Sequence, residues 1–140
     1  AIVPILRAGL GMADGLLDVI PDAAVWHVGL FRDERTLEPR EYYNKLPRDV
    51  NAEVAFVVDP MLATGGSAVR TCEILRAAGV GRIVLVALIA SPQGVACLER
   101  HMPGVAIHVA ALDEGLDDSG FIVPGLGDAG DRQFGTAAGH

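Results

Sequence analysis

The 140-residue chain lacks the features that mark membrane proteins, disulfide-rich secreted proteins and nonspecific nucleic-acid binders. Its longest uninterrupted apolar run, residues 83–90, is less than half of the roughly 20 residues that a membrane-spanning helix needs. Its two cysteines, Cys72 and Cys97, are too few for a disulfide scaffold and lack metal-ligand spacing, so we expect both to be buried, reduced apolar residues. The 11 basic and 18 acidic residues give a net charge of -7, which opposes binding to nucleic acid.

The chain does contain apolar runs that alternate with segments of helical period, which predicts an α/β fold with a mostly parallel sheet flanked by helices. The predicted strands are 2–6, 25–31, 54–58, 83–90 and 105–111, and the predicted helices are 10–20, 67–78 and 92–102. The charged, turn-rich stretch 32–49 indicates a hairpin or mobile excursion outside the core. After residue 112 the periodicity disappears into a glycine-rich tail.

The segment 59–67 joins a buried strand directly to a helix, and this arrangement is typical of anion binding. A helix N-terminus offers unpaired N–H groups, and Gly65 and Gly66 allow several of them to surround one phosphate. Thr64 and Ser67 add hydroxyl donors. The segment has no lysine, so it is not a P-loop, and a phosphate monoester on a sugar is the favoured ligand.

Two interpretations of this segment remain open from the residues alone. It can be merely a tight strand-to-helix turn in which Ser67 is the N-cap. The position of Asp59 favours a binding site, because a carboxylate beside an anion site repels the anion unless it binds ribose hydroxyls or a divalent cation.

The run V-V-D-P-M-L-A-T-G-G-S at 57–67 resembles the phosphoribosyl-diphosphate motif of type I phosphoribosyltransferases, in the form seen in uracil phosphoribosyltransferases. Further segments resemble the same subfamily in chain order, namely 4–11, 32–34, 37–39 with Tyr42 and Tyr43, and 121–132. The resemblance covers nearly the whole chain. Family members carry several dozen further residues before the first strand. The resemblance therefore implies a single domain over 1–140 that is N-terminally incomplete.

This resemblance implies a type I phosphoribosyltransferase-like core with a C-terminal glycine-rich hood and a protruding charged hairpin. The implied reaction transfers the 5-phosphoribosyl group from 5-phosphoribosyl-1-diphosphate (PRPP) to N1 of uracil, giving UMP and diphosphate. It further implies Mg²⁺ carried mainly by the diphosphate, and a homodimer or higher homo-oligomer without nucleic-acid or membrane partners. No signal peptide precedes the first predicted strand, so we expect a cytoplasmic protein.

The resemblance also assigns roles to individual residues. It implies catalytic roles for Arg7, Asp59 and Asp128, and a cis peptide at Leu6–Arg7. The implied PRPP-binding residues are Arg7, Arg32, Asp59, Pro60, Met61, Leu62, Ala63, Thr64, Gly65, Gly66 and Ser67, and the implied uracil-binding residues are Ile122, Gly127, Asp128 and Ala129. From the residues alone, Arg7 can also be a surface arginine at a strand end, and Arg32 a solvated charge of the loop. The tail can likewise be an ordinary surface loop.

Other functions remain as alternatives. The chain can be a regulatory relative that binds phosphoribosyl ligands without turnover, an inactive fragment, or a phosphoribosyltransferase for another base. An RNA-binding regulator is disfavoured by the net charge. The histidines share no spacing that predicts a metal site or triad; they are His27, His101, His108 and His140. The acidic residues of the tail indicate a solvated face, although Asp113 ends the last predicted strand and is placed to order the tail.

Overall fold

The structure, a computed structural model, describes residues 1–36 and 38–136, so predictions that involve Leu37 or His140 lie outside the described residues. Nine strands and four helices form within this part. In chain order they are β1 (Ile2–Leu6), α1 (Gly9–Val19), β2 (Val28–Arg32), β3 (Pro39–Asn44), β4 (Ala55–Val58), β5 (Met61–Leu62), α2 (Gly66–Ala77), β6 (Ile83–Ala90), α3 (Pro92–His101), β7 (Ala106–Leu112), β8 (Gly115–Leu116), β9 (Ile122–Val123) and α4 (Ala129–Phe134).

A mostly parallel sheet forms the centre of the fold, as the alternating pattern predicts. Strands β2, β1, β4, β6 and β7 lie side by side in that order and run parallel. The short strand β5 continues along the same edge of β6 that β4 occupies, because β6 pairs first with β4 and then with β5. Strand β3 is antiparallel to β2 and forms the outer edge. The parallel order brings the carboxyl ends of β1, β4 and β6 together at one edge of the sheet.

Helices cover both faces of this sheet, and alternate residues of β1 and β4 divide between two clusters. On one face, Val3 and Val57 pack in a buried cluster with Leu75 of α2 and Leu98 of α3. On the other face, Ala13 of α1 packs against Ile2 and Val58. Within the described residues, no helix has both the length and the apolar character that a membrane crossing demands.

The charged stretch after β2 turns back on itself and pairs with β2 as β3. The Asp33 carboxylate accepts hydrogen bonds from the backbone N–H groups of Arg35 and Thr36, at 2.9 and 3.0 Å, and lies 2.9 Å from Arg40 Nε. Mainly because of the two backbone hydrogen bonds, the pKa of Asp33 is lowered. The turn is therefore built by its own aspartate, and most of the residues of β3 are exposed.

The sequence predicts the long elements closely and misses the short ones. Strand β6 has the predicted bounds, and Ser91 caps α3 by accepting a hydrogen bond from the Gly94 N–H, as predicted. Strand β2 begins three residues later than predicted, and Val25 forms only an isolated bridge to Ile2. The sequence pattern does not predict β5, β8, β9 or α4. Two-residue strands and a six-residue helix are too short to show a period.

The two cysteines differ in environment. Cys72 is buried, and this burial raises the pKa of its thiol to about 12. Cys97 is only half-buried, so the expectation that both cysteines are buried is wrong for this residue. Helix α3 buries the face that carries Gly94 and Leu98, and Cys97 lies beside that face rather than on it. Its sulfur lies 3.7 Å from Nδ1 of His101.

Candidate active site

Two adjoining cavities lie at the carboxyl ends of the central strands. The smaller, of about 80 Å³, is lined by the segment from Met61 to Gly65 and by the first turn of α2. The larger, of about 320 Å³, lies between the same segment and the tail that follows β7. Arg32 and Asp59 line both cavities, so the two cavities adjoin at these residues.

The start of α2 differs from the turn interpretation of segment 59–67 in its cap residue. The helix begins at Gly66, and its N-cap is Gly65 rather than Ser67, with no side-chain cap. Gly65 has a φ of 89°, a left-handed conformation that favours glycine. A Cβ there would also lie 2.9 Å from the Cβ of Cys97 and from the Gly94 carbonyl oxygen. The interpretation with Ser67 as N-cap is therefore wrong, and the first N–H groups of α2 have no capping side chain.

The N-cap of helix α3 holds this segment through hydrogen bonds. Ser91 is fully buried, and its Oγ donates to the Ala63 carbonyl oxygen at 2.5 Å while accepting from the Gly94 N–H at 2.9 Å. The Ser91 N–H donates to the Leu62 carbonyl oxygen at 3.0 Å. One residue thus caps α3 and fixes two carbonyl groups of the segment. The S-P signal in the sequence predicts the cap, but nothing local predicts the contact with Ala63.

Asp59 lies half-buried where the two cavities meet. Its Oδ1 accepts a hydrogen bond from the Met61 N–H at 3.3 Å, which turns the backbone into β5. Burial raises the pKa of this carboxyl to about 6, and the Met61 hydrogen bond offsets only part of the effect. A half-buried carboxyl in a cleft whose pKa is raised by desolvation is a typical feature of a functional site.

Arg32, the last residue of β2, reaches across the smaller cavity. Its Nη2 donates to Thr64 Oγ1 at 3.0 Å. A Cβ placed on Gly120 would lie 3.4 Å from Arg32 Nη1. The guanidinium therefore lies between the Thr64 side of the cavity and the tail.

Arg7 is not brought into either cavity. The Leu6–Arg7 peptide is cis, as the resemblance implies, and the neighbouring Ala8 lines the larger cavity. The exposed Arg7 guanidinium instead forms an ion pair with Asp131, at 3.1 Å between Nη2 and Oδ1. Its Cζ also lies 5.5 Å from the ring centroid of Phe134. Both partners belong to α4, so this helix holds the arginine at the rim of the larger cavity.

The tail forms a small antiparallel pair, β8 with β9, followed by α4. The buried Ile122 lies in the larger cavity together with Gly127, Asp128 and Ala129. Asp128 is the N-cap of α4, and its Oδ1 accepts from the Asp131 N–H at 2.8 Å. The four residues that the resemblance implies for uracil binding therefore line one cavity.

Most of the residues implied for PRPP binding also line the cavities, and three do not. Those that do are Arg32, Asp59, Met61, Leu62, Ala63, Thr64, Gly65 and Ser67. Arg7 is held on α4, as described. Pro60 is buried, and its carbonyl oxygen accepts from the N–H groups of Leu88 and Ile89, both at 3.0 Å. Gly66 lines a separate surface cavity beside Cys97 and His101.

Comparison with known proteins shows which family this chain resembles. A family model described as uracil phosphoribosyltransferase matches residues 1–136. Curated relatives named uracil phosphoribosyltransferase include those of Roseiflexus castenholzii, 61% identical over 96% of this chain, and Enterococcus faecalis, 59% identical over 97%. The chain spans about 65% of the length of these two relatives.

Solved structures give the same result at the level of fold. A protein from Aquifex aeolicus has 42% identity and a TM-score of 0.89, over 99% of this chain and 66% of its own. A purine phosphoribosyltransferase from Pyrococcus horikoshii has 18% identity and a TM-score of 0.65, over 81% of this chain and 70% of its own, and so shares the fold. From the match over residues 1–136, the relatives and the shared fold, we conclude that this chain belongs to the uracil phosphoribosyltransferase family.

Proposed function

We propose that this chain carries the catalytic core of an enzyme that transfers the 5-phosphoribosyl group from PRPP to N1 of uracil, releasing diphosphate and giving UMP. The observation that carries the proposal is the pair of cavities joined at Asp59 and Arg32. One cavity has an uncapped helix N-terminus and hydroxyl groups, which suit a phosphate. The other is lined by residues of the tail, among them Gly120, Gly127 and Gly130, and this lining suits a base.

We assign the smaller cavity to the 5′-phosphate, held by residues 63–67. The uncapped N–H groups at the start of α2 and the hydroxyls of Thr64 and Ser67 are donors, and among residues 1–36 and 38–136 no carboxylate other than Asp59 lines this cavity. We assign Asp59 to the ribose hydroxyls. This role explains why a carboxylate lies beside a phosphate site, since a hydroxyl donates to it while a phosphate repels it.

We assign the larger cavity to uracil, with contacts from Ile122, Gly127 and Ala129. Uracil presents an acceptor, a donor and an acceptor along O2, N3–H and O4, and backbone groups in fixed positions can match that order. Cytosine reverses the pattern at N3 and C4, so buried backbone groups would lose their partners. A mismatch of this type can reject an analogue by roughly 10⁴-fold.

The transfer itself requires no nucleophilic side chain, because departure of diphosphate leaves an oxocarbenium-like ribosyl centre. The protein orients the two reactants and stabilises charge on the leaving group. We assign Arg7 and Arg32 to the diphosphate, and Asp128 to the region of the ribose and the reacting nitrogen. Arg7 pairs with Asp131 and Arg32 donates to Thr64 in this structure, so both arginines have a defined partner before the diphosphate binds.

The donor set fits a metal ion that arrives with the substrate. In the part of the chain that the structure describes, no three His, Cys, Asp or Glu side chains come together as a metal site. The carboxylates that line the cavities are Asp59 and Asp128. Such sparse protein ligands suit Mg²⁺, which keeps several waters and binds mainly through phosphate oxygens. When bound, Mg²⁺ would neutralise charge on the leaving diphosphate.

We further propose that the protein acts in cytoplasmic pyrimidine salvage as a homodimer or higher homo-oligomer. The family membership supports this assignment. Sedimentation of the purified protein at several concentrations measures the oligomeric state, and a monomer at all of them would contradict it.

UMP formation from uracil and PRPP, measured with a sample of known intact mass, tests the proposed reaction. The assay runs on this chain and on a longer chain of the relatives' length, which separates an inactive fragment from a non-catalytic relative. Competition among uracil, cytosine, hypoxanthine and guanine in a diphosphate-release assay tests the base. Preference for a purine, or no UMP from either chain, would contradict the proposal.

A further inference from the structure

The loop that joins β9 to α4, residues 124–127, is held at two adjacent residues by side chains from outside it. The Gly125 N–H donates to Asp113 Oδ2 at 2.9 Å. Arg132 Nη1 donates to the Leu126 carbonyl oxygen at 3.0 Å. The loop thus has one contact to the end of the sheet and one to α4. Its neighbours on both sides, Ile122 and Asp128, line the larger cavity.

Asp113 connects the loop to the central sheet. It follows β7 directly, and its own N–H donates to the carbonyl oxygen of Ala90, the last residue of β6, at 2.8 Å. Its carboxylate is partly buried where it meets the loop. The position of the Gly125 N–H is therefore set by the end of the central sheet.

The loop has little freedom to absorb a displacement. Gly125 has a φ of 49°, and a Cβ at this residue would clash with the Ile122 carbonyl oxygen. The chain therefore turns back tightly over Ile122, one of the residues assigned to uracil. A shift at Gly125 moves Ile122 as well, because the two residues are in backbone contact.

Arg132 connects the same loop to α4, and α4 is tied in turn to the other side of the site. The Asp131 carboxylate next to Arg132 pairs with Arg7, and the N-cap of the helix is Asp128. The loop is therefore held between the sheet, through Asp113, and the helix that carries Asp128, through Arg132.

We infer that Asp113 and Arg132 are positioning residues that set the uracil-binding geometry by fixing the backbone of residues 124–127. This inference rests on the proposed function and deepens it. Backbone recognition depends on such supports, because a peptide group cannot adjust its rotamer to a displaced base as a side chain can. A displacement of about 1 Å can cost about 10²-fold in rate.

The first test compares Asp113→Ala with Asp113→Asn. The asparagine keeps an oxygen that can accept from the Gly125 N–H, whereas alanine keeps none. We expect Asp113→Ala to raise the KM for uracil by about ten- to a hundredfold, the equivalent of a hydrogen bond to a charged group, and to change the KM for PRPP little. Asp113→Asn restores most of the uracil affinity.

Asp118→Ala is the matched control, since it removes the same charge from an exposed position in the same tail. We expect its two KM values to stay at those of the wild type. An equal rise of both KM values in Asp113→Ala, or failure of Asp113→Asn to restore the uracil KM, would overturn the positioning role.

The second test uses Arg132→Met, which keeps the length of the side chain and removes its donors. We expect a higher uracil KM and weaker discrimination against cytosine. In the double variant with Asp113→Ala the two effects should not add, because both side chains hold one loop. Additive effects would mean that the residues act separately and would overturn the shared role.

Amide hydrogen exchange separates failure of this inference from failure of the proposed reaction. The segment 122–129 should exchange faster in Asp113→Ala than in Asp113→Asn, with or without substrate. If neither this chain nor the longer chain makes UMP, the proposed reaction is wrong, and faster exchange still identifies Asp113 as the support of the loop. If the wild type makes UMP and exchange is the same in both variants, the positioning role is wrong and the proposed reaction stands.

Discussion

Asp59 should destabilise the folded protein at neutral pH, and Asp59→Asn should remove this cost. Burial raises the pKa of Asp59 from its ordinary 3.8 to about 6. At 1.36 kcal/mol per pH unit this difference corresponds to about 3 kcal/mol. Because the carboxyl is half-buried in a cavity open to solvent, we expect a measured effect of about 1–3 kcal/mol.

The sign follows from proton linkage. Below pH 3.8 the Asp59 carboxyl is protonated in both states, and between pH 3.8 and about 6 it stays protonated mainly in the folded state. The stability that the neutral carboxyl contributes is therefore fully present at low pH. It is lost as the pH rises through about 6. Asparagine keeps an oxygen for the Met61 N–H and carries no charge to desolvate. The variant should therefore be more stable than the wild type at pH 8, and nearly equal to it at pH 4.

Urea denaturation at pH 4 and pH 8 measures this difference, with Asp118→Asn as an exposed control that should not shift stability at either pH. In the same samples, UMP formation by Asp59→Asn should fall by about 10²-fold, because the variant loses the carboxylate that we propose for the ribose hydroxyls. A variant no more stable than the wild type at pH 8 would refute the desolvation argument. So would a gain of the same size at pH 4.

Three further predictions concern Arg7, the contact between α3 and segment 59–67, and the core. Arg7→Ala should reduce UMP formation strongly and change the free energy of unfolding by less than about 1 kcal/mol, because its ion pair is exposed; a lower melting temperature with normal specific activity would contradict this. In Gly94→Ala the new Cβ would lie 2.5 Å from the Ala63 carbonyl oxygen, so calorimetric stability should fall by about 1–3 kcal/mol and PRPP binding should weaken. Gly15→Ala, a helical control with open space around it, should instead gain up to about 1 kcal/mol. Leu75→Ala, in the fully buried core, should lose about 2–5 kcal/mol in urea while the folded fraction keeps its specific activity.

The segment 59–67 shows how far a local pattern can lead to a site. A buried strand, an aspartate at its end and a Thr-Gly-Gly-Ser turn into a helix predict a phosphate-binding geometry, and most of these residues do line the cavities. The sequence also predicts the long strand β6 and the cap of α3. All of these signals lie within a few residues of one another, where backbone conformation and burial are set locally.

Other parts of the site depend on partners that are distant in the sequence. Arg7 and Asp131 are 124 positions apart, and Ser91 meets Ala63 across 28. The sequence shows Arg7 at the end of a strand, but not the helix that holds it outside the cavities. The half-burial of Cys97 likewise depends on how α3 lies against segment 59–67.

The amino-acid sequence was therefore sufficient for the class of fold, the family and the residue types of the site. These follow from apolar periodicity and from short motifs that are continuous in the chain. The tertiary structure was needed to show that Asp59 and Arg32 join two cavities, that Arg7 rests on α4, and that Asp113 supports the loop after β9. Strand order and helix packing determine which distant residues meet, and no local pattern carries that information.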